Sequence, residues 1–147
     1  MQQLFSNTST HRQQLSQHID QWRVLIVDDI NDNKFVAETI LTFSGATVTT
    51  ADNGLHALDV LPNFNANIIL LDLSMPEMDG WELLEALKVQ EQYHDMVIIA
   101  LTANAMDRDK SRALAAGFDG YITKPYDART LTHKIEKIIQ NMGSGIL

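Results

Sequence analysis

From Trp22 onward, short unbroken apolar runs alternate with segments whose apolar residues recur every three or four positions. Arg23-Val-Leu-Ile-Val27, Ile68-Ile-Leu-Leu71 and Met96-Val-Ile-Ile-Ala-Leu101 show no polar alternation, which predicts strands buried on both faces of a parallel sheet. Weaker strands are expected at Thr47-Val-Thr-Thr50 and Gly120-Tyr-Ile-Thr123. Val36, Ile40 and Phe43 mark a helix stopped by Gly45, and Leu55, Leu58 and Leu61 mark one that ends at Pro62. A third helix bears Leu83, Leu84 and Leu87, a fourth carries Leu114 and closes at Gly117, and Leu131, Ile135 and Ile138 mark the last. Five strands alternating with five helices predict an α/β domain with a doubly wound parallel sheet. The order 2-1-3-4-5 suits its length and puts the switch point between the first and third strands.

Residues 1 to about 20 are rich in Gln, Ser, Thr and His and lack an apolar period. We expect a flexible extension over residues 1–21, either a tail or a loosely attached helix outside the main domain, one domain over 22–141 and a short tail over 142–147. A composition 45% hydrophobic and 20% charged is that of an ordinary soluble globular protein. No apolar stretch nears the roughly 20 residues of a membrane span, and the N-terminus lacks the basic start and apolar segment of a signal peptide. The absence of cysteine excludes disulfide frameworks and thiolate chemistry. Together these favour the cytoplasm. A net charge of -8 argues against nucleic acid as a direct partner, because backbone binding needs a basic face. His11, His18, His56, His94 and His133 show no metal-ligand spacing and are expected at the surface.

Charge placement adds the chemistry. Asp28 and Asp29 close the first apolar run and Asp72 closes the third strand, so three carboxylates converge on one sheet edge. Such a cluster needs a bound cation or protonation, and oxygen-only ligands favour a hard ion such as Mg2+. Thr102 and Lys124 end the fourth and fifth strands. The set suits phosphoryl transfer: Asp28 and Asp29 hold the cation, Asp72 is ligand and nucleophile, and Lys124 and Thr102 contact phosphoryl oxygens.

Val24-Leu-Ile-Val-Asp-Asp29, Leu70-Leu-Asp-Leu-Ser-Met-Pro-Glu-Met-Asp-Gly80, Ala100-Leu-Thr-Ala103 and Gly120-Tyr-Ile-Thr-Lys-Pro125 lie in register at the ends of the expected strands. In these motifs, over about residues 22 to 141, the chain resembles a receiver domain of the bacterial response-regulator family. The resemblance implies a flavodoxin-like receiver fold in which Asp72 accepts phosphate from a histidine kinase or a histidine phosphotransfer protein. It implies Mg2+ on Asp28, Asp29, Asp72 and the backbone carbonyl of Ser74, with Thr102 and Lys124 on the phosphoryl group. It also implies that Tyr121 is the switch aromatic and that the Lys124-Pro125 bond is cis. A downstream protein target would bind the face of the fourth helix, fifth strand and fifth helix, including Asn104 to Asp109.

Other classes fit less well. A phosphatase resembling the haloacid dehalogenases would need an acid/base Asp two residues after the nucleophile, where Ser74 stands, so hydrolysis of the phosphorylated form would be slow. A flavodoxin-like FMN carrier would meet repulsion at Asp28-Asp-Ile-Asn-Asp32. An interaction module without phosphorylation would not need the full acid, hydroxyl and lysine set. We therefore expect a non-enzymatic phosphoacceptor that catalyses only its own phosphorylation and slow dephosphorylation. No output domain is recognisable, so a stand-alone receiver is expected, with a fragment of a hybrid kinase as the alternative.

Overall fold

The computed structural model describes residues 14–103 and 106–142, except for the side chain of residue 107. Five parallel strands, β1 (Arg23–Val27), β2 (Thr47–Ala51), β3 (Ile68–Asp72), β4 (Val97–Thr102) and β5 (Gly120–Thr123), form one sheet in the order β2-β1-β3-β4-β5. The helices are α1 (Asn31–Phe43), α2 (Gly54–Phe64), α3 (Gly80–Lys88), α4 (Asp107–Ala116) and α5 (Leu131–Met142).

The unbroken apolar runs are explained by two cores, one on each side of the sheet. Val24 and Ile26 of β1 pack with Leu70 and Ile99 against Ala37 and Leu41 of α1 and Leu131, Ile135 and Ile139 of α5. Leu25 and Val27 point the other way, toward Leu61 of α2, Leu83, Leu84 and Leu87 of α3 and Ala113 of α4. Burying each such side chain is worth about 1.5–3 kcal/mol over leaving it in water, and both faces must be apolar for the strand to gain it twice.

Three expectations change. The buried stripe of α1 is Lys34, Ala37 and Leu41, whereas Phe43 is 94% exposed, Val36 lies on the surface and Ile40 is half-buried. Two overlapping stripes share this helix, and the small Ala37 lets it approach the sheet where Phe43 could not fit. Pro62 does not end α2, which runs on to Phe64. Arg23 caps the end of the helix, donating from its guanidinium to the carbonyls of Phe64 and Asn65 while stacking on the Phe64 ring. Residues 14–21, expected as a flexible tail or a loosely attached helix, are largely helical and are packed on the domain. Leu15 and Ile19 pack on the α1/α5 core, and buried Trp22 donates its indole N–H to the Leu15 carbonyl. Residues 1–13 and 143–147, which hold the rest of the two expected tails, lie outside the described residues. So does His11; the other four histidines are exposed.

Candidate functional site

Register brings the site together. Asp72 ends β3 and pairs with Leu101, so Thr102 lies one residue further along β4, and Thr102 in turn pairs with Thr123 of β5. The amide of Asp28 bonds the Ala51 carbonyl at 3.1 Å, and that of Lys124 bonds the Thr102 carbonyl at 2.7 Å. Each chemical residue thus leaves the sheet at its carboxyl edge.

Carboxylate oxygens of Asp28, Asp29 and Asp72 all lie within 4.8 Å of one another. Asp28 is fully buried and Asp72 is 5% exposed, while Asp29 faces solvent. Lys124 Nζ bridges the two buried acids, 2.9 Å from Asp28 Oδ2 and 3.3 Å from Asp72 Oδ2. Backbone amides take the other oxygens: Ile30 donates to Asp28 Oδ1 at 3.0 Å, and Ser74 donates to Asp72 Oδ1 at 3.1 Å. Burial pushes the Asp72 carboxyl above the usual range and Asp28 adds to this, against the lowering effects of the Ser74 amide and Lys124. Three carboxylates against one ammonium leave negative charge uncompensated, and the donors are all hard oxygens. The set fits a divalent cation such as Mg2+.

Local sequence holds the walls. Asp79 and Glu82 form a reciprocal cap at the start of α3, with Asp79 Oδ1 accepting the Glu82 amide at 2.9 Å. Gly80 sits so close to the end of β3 that a Cβ there would lie 2.5 Å from the Asp72 carbonyl oxygen. The Lys124-Pro125 bond is cis.

Of the residues expected at the site, Asp28, Asp29, Asp72 and Lys124 meet directly, and Ser74 is joined through its amide. Thr102 is buried at the adjoining strand end. Tyr121 is not at the acids. It pairs with Ala100 and lies half-buried on the α4 side, its ring 4.9 Å from Lys110 Nζ. Asn104 and Ala105 of the expected partner face lie outside the described residues. Sequence reasoning missed Tyr126. Its hydroxyl reaches the Asn33 carbonyl at 3.5 Å, and burial, with the charges of Asp28 and Asp72, pushes its pKa to about 12. Its place two residues after Lys124 was the available signal. Also missed was buried Lys34, ion-paired with Asp52, which ties α1 to the end of β2.

With that geometry in place, likeness to known proteins decides the class. The family model for the response regulator receiver domain matches residues 24–136, and the chain belongs to that family. The chain is 35% identical over 121 residues to chemotaxis protein CheY of Pseudomonas aeruginosa, covering 82% of this chain and 98% of that one. It is 37% identical over 118 residues to the sensor histidine kinase GacS of Pseudomonas protegens, covering 78% of this chain but 13% of that protein. It spans 48% of the probable transcriptional regulator ycf27 of Cyanidium caldarium, with 35% identity over 122 residues. The structure of chemotaxis response regulator CheY4 of Vibrio cholerae superposes with a TM-score of 0.75 at 30% identity, covering 80% of this chain and 98% of that one. The molecule is therefore a phosphoacceptor response regulator of two-component signalling. Receiver domains partner with histidine kinases or phosphotransfer proteins and bind Mg2+ at an acidic pocket. No helix among the described residues is long and apolar enough to cross a membrane.

Proposed function

We propose that Asp72 takes a phosphoryl group from a phosphohistidine donor and that this chain's own residues catalyse the transfer. The reading rests on the carboxyl-edge cluster in which Lys124 Nζ already bridges Asp28 and Asp72. Asp28, Asp29, Asp72 and the Ser74 carbonyl would hold Mg2+. Bound there, the ion would supply positive charge to offset that of the phosphoryl oxygens. An Asp72 oxygen attacks phosphorus, the N–P bond of the donor breaks, and the imidazole leaves with the bonding pair and takes up a proton. The Ser74 amide keeps Asp72 Oδ1 in place, which aims Oδ2 at the incoming phosphorus. Lys124 swings from the acids to a phosphoryl oxygen, and Thr102 donates its hydroxyl to another. The resulting acyl phosphate hydrolyses slowly, since Ser74 offers no general base two residues on.

The switch follows from the same contacts. After transfer a phosphoryl oxygen becomes a new hydrogen-bond acceptor for Thr102, so its loop is drawn inward and Tyr121 turns from its half-buried position to a buried one. A ligand shifts a two-state equilibrium only through differential contacts, and this is one. The face of α4, β5 and α5 then binds the downstream target, and the chain acts in the cytoplasm.

Incubation with acetyl phosphate and intact mass measurement tests the transfer. One phosphoryl group is expected on the wild type with Mg2+, and none on Asp72→Asn or with EDTA. Undiminished uptake in either control refutes the assignment. For the switch, beryllofluoride with Mg2+ is expected to shift NMR signals of α4 and Tyr121 in the wild type but not in Thr102→Ala. Shifts confined to the loops around Asp72 refute it.

A further inference from the structure

Large apolar side chains left in water are not scattered evenly over this molecule. Of the eight exposed ones among the described residues, Phe35, Val36 and Phe43 share one helix, α1, whose opposite face of Lys34, Ala37 and Leu41 is buried. Phe35 is 68% exposed and Phe43 94%. At about 100° per residue, the outer arc of α1 consists of Asp32, Phe35, Val36, Thr39, Thr42 and Phe43, all exposed. Its one charged member, Asp32, lies in the first turn. Phe35, Thr39 and Phe43 stand four residues apart and form a single row along the helix, with the short threonine between two rings. The row reads alike in both directions from Thr39, because a phenylalanine follows about 6 Å along the axis either way.

We infer that this stripe is a homodimer face, on which a second copy of the chain lays its own α1 antiparallel about a two-fold axis beside Thr39. Phe35 of each copy then meets Phe43 of the other, so two aromatic contacts flank the axis and the threonines let the helices close between them. The contact closes on itself and stops at two copies. Charge favours a like partner. The chain carries -8, yet the two Asp32 carboxylates would stand about 21 Å apart, beyond the roughly 8 Å over which physiological salt lets charges act. A strongly charged partner would find only Asp32 to pair with on this arc. Half-buried Glu38 lies on its flank and adds a repulsion that salt screens. Area sets the strength. At about 150–250 Å² per ring, the four rings would lose roughly 500–800 Å² of surface, short of the about 1,200–2,000 Å² of stable complexes. The dimer is therefore weak, with a dissociation constant on the order of 0.1–1 mM. Because α1 packs on the other side of the sheet from Tyr121, it forms with or without a phosphoryl group on Asp72.

Sedimentation velocity of the full chain, from about 20 μM to about 1 mM, is expected to show a monomer–dimer equilibrium, the same with and without beryllofluoride and Mg2+. Added NaCl is expected to strengthen it, because salt screens two chains of charge -8 and leaves the apolar contact. Phe35→Glu and Phe43→Lys, both at exposed positions, are each expected to weaken self-association at least about tenfold while melting as the wild type does. Mixed in equal amounts, the two variants are expected to associate again. The introduced glutamate then faces the introduced lysine, and Phe43 of the first variant faces Phe35 of the second. The chain has no cysteine, so Thr39→Cys places a single thiol beside the axis. Under copper phenanthroline it is expected to form a disulfide-linked dimer at least about tenfold faster than Leu55→Cys, an exposed position on α2. A wild type that stays monomeric at about 1 mM overturns the proposal. So does association that persists in Phe43→Lys, requires beryllofluoride, weakens with salt, or is not restored by mixing the two variants. Thr39→Cys that crosslinks no faster than Leu55→Cys overturns the two-fold arrangement. Capture of the monomer by phosphatidylcholine vesicles, abolished in Phe43→Lys, would assign the stripe to a membrane surface and overturn it likewise.

Discussion

Replacing Asp72 by Asn is expected to stabilise the Mg2+-free protein at neutral pH while abolishing its chemistry. The Asp72 oxygens lie within 4.8 Å of those of Asp28 and Asp29 and 3.3 Å from Lys124 Nζ. In a water-like dielectric each repulsion at that outer distance costs about 0.9 kcal/mol and the lysine returns about 1.3 kcal/mol, so removing the charge gains about 0.5 kcal/mol. At an effective dielectric of about 20, each term is fourfold larger and the gain is about 2 kcal/mol. Asn retains an oxygen for the Ser74 amide, and Lys124 retains Asp28 at 2.9 Å. The pH dependence has a definite sign. Burial raises the folded-state pKa of Asp72 above its ordinary 3.8, so the folded chain holds that proton more tightly than the unfolded one. Wild-type stability is therefore lost as pH rises from 3.8 through the raised value, and the variant escapes this loss. Its advantage is full above that value and absent below 3.8. Thermal melts in EDTA at pH 7.5 are expected to show a Tm gain of roughly 1–8 °C for a chain of this size. Added Mg2+ reverses the order, because only the intact acid set binds it well. A metal-free Asn variant that melts below wild type at pH 7.5, or an advantage that grows on acidification, refutes the clustered-charge account.

Three further outcomes follow from individual contacts. Glu77 sits at φ 65° in the loop after Asp72, so Glu77→Gly is expected to raise stability by about 0.5–1 kcal/mol in urea unfolding. Lys34 is buried while its partner Asp52 is largely exposed; Asp52→Asn, which strands the ammonium, is expected to cost about 1 kcal/mol, and Lys34→Met less, by the same assay. The pair also holds the Asp52 pKa down, so its contribution is present above the ordinary 3.8 and fades as pH falls below it. Phenolate absorbance is expected to show one tyrosine titrating near pH 12, lost in Tyr126→Phe, with stability falling as pH rises from 10 toward 12.

How much was legible in the sequence follows from which forces act locally. Strands buried on both faces read as unbroken apolar runs, so Val24 to Val27, Ile68 to Leu71 and Val97 to Leu101 announced a parallel sheet. Parallel connectivity puts all strand ends on one edge, and the meeting of Asp28, Asp29, Asp72 and Lys124 followed from position alone. What one element does against another was not legible. Periodicity along α1 offered Val36, Ile40 and Phe43 as readily as Ala37 and Leu41, and only the space above the sheet selected the smaller pair. The end of α2 beyond Pro62 is capped by Arg23, 39 positions before that proline, and buried Lys34 is paired with Asp52. The anchoring of residues 14–21 needed the core surface beside Trp22, which exists only once α1 and α5 have packed.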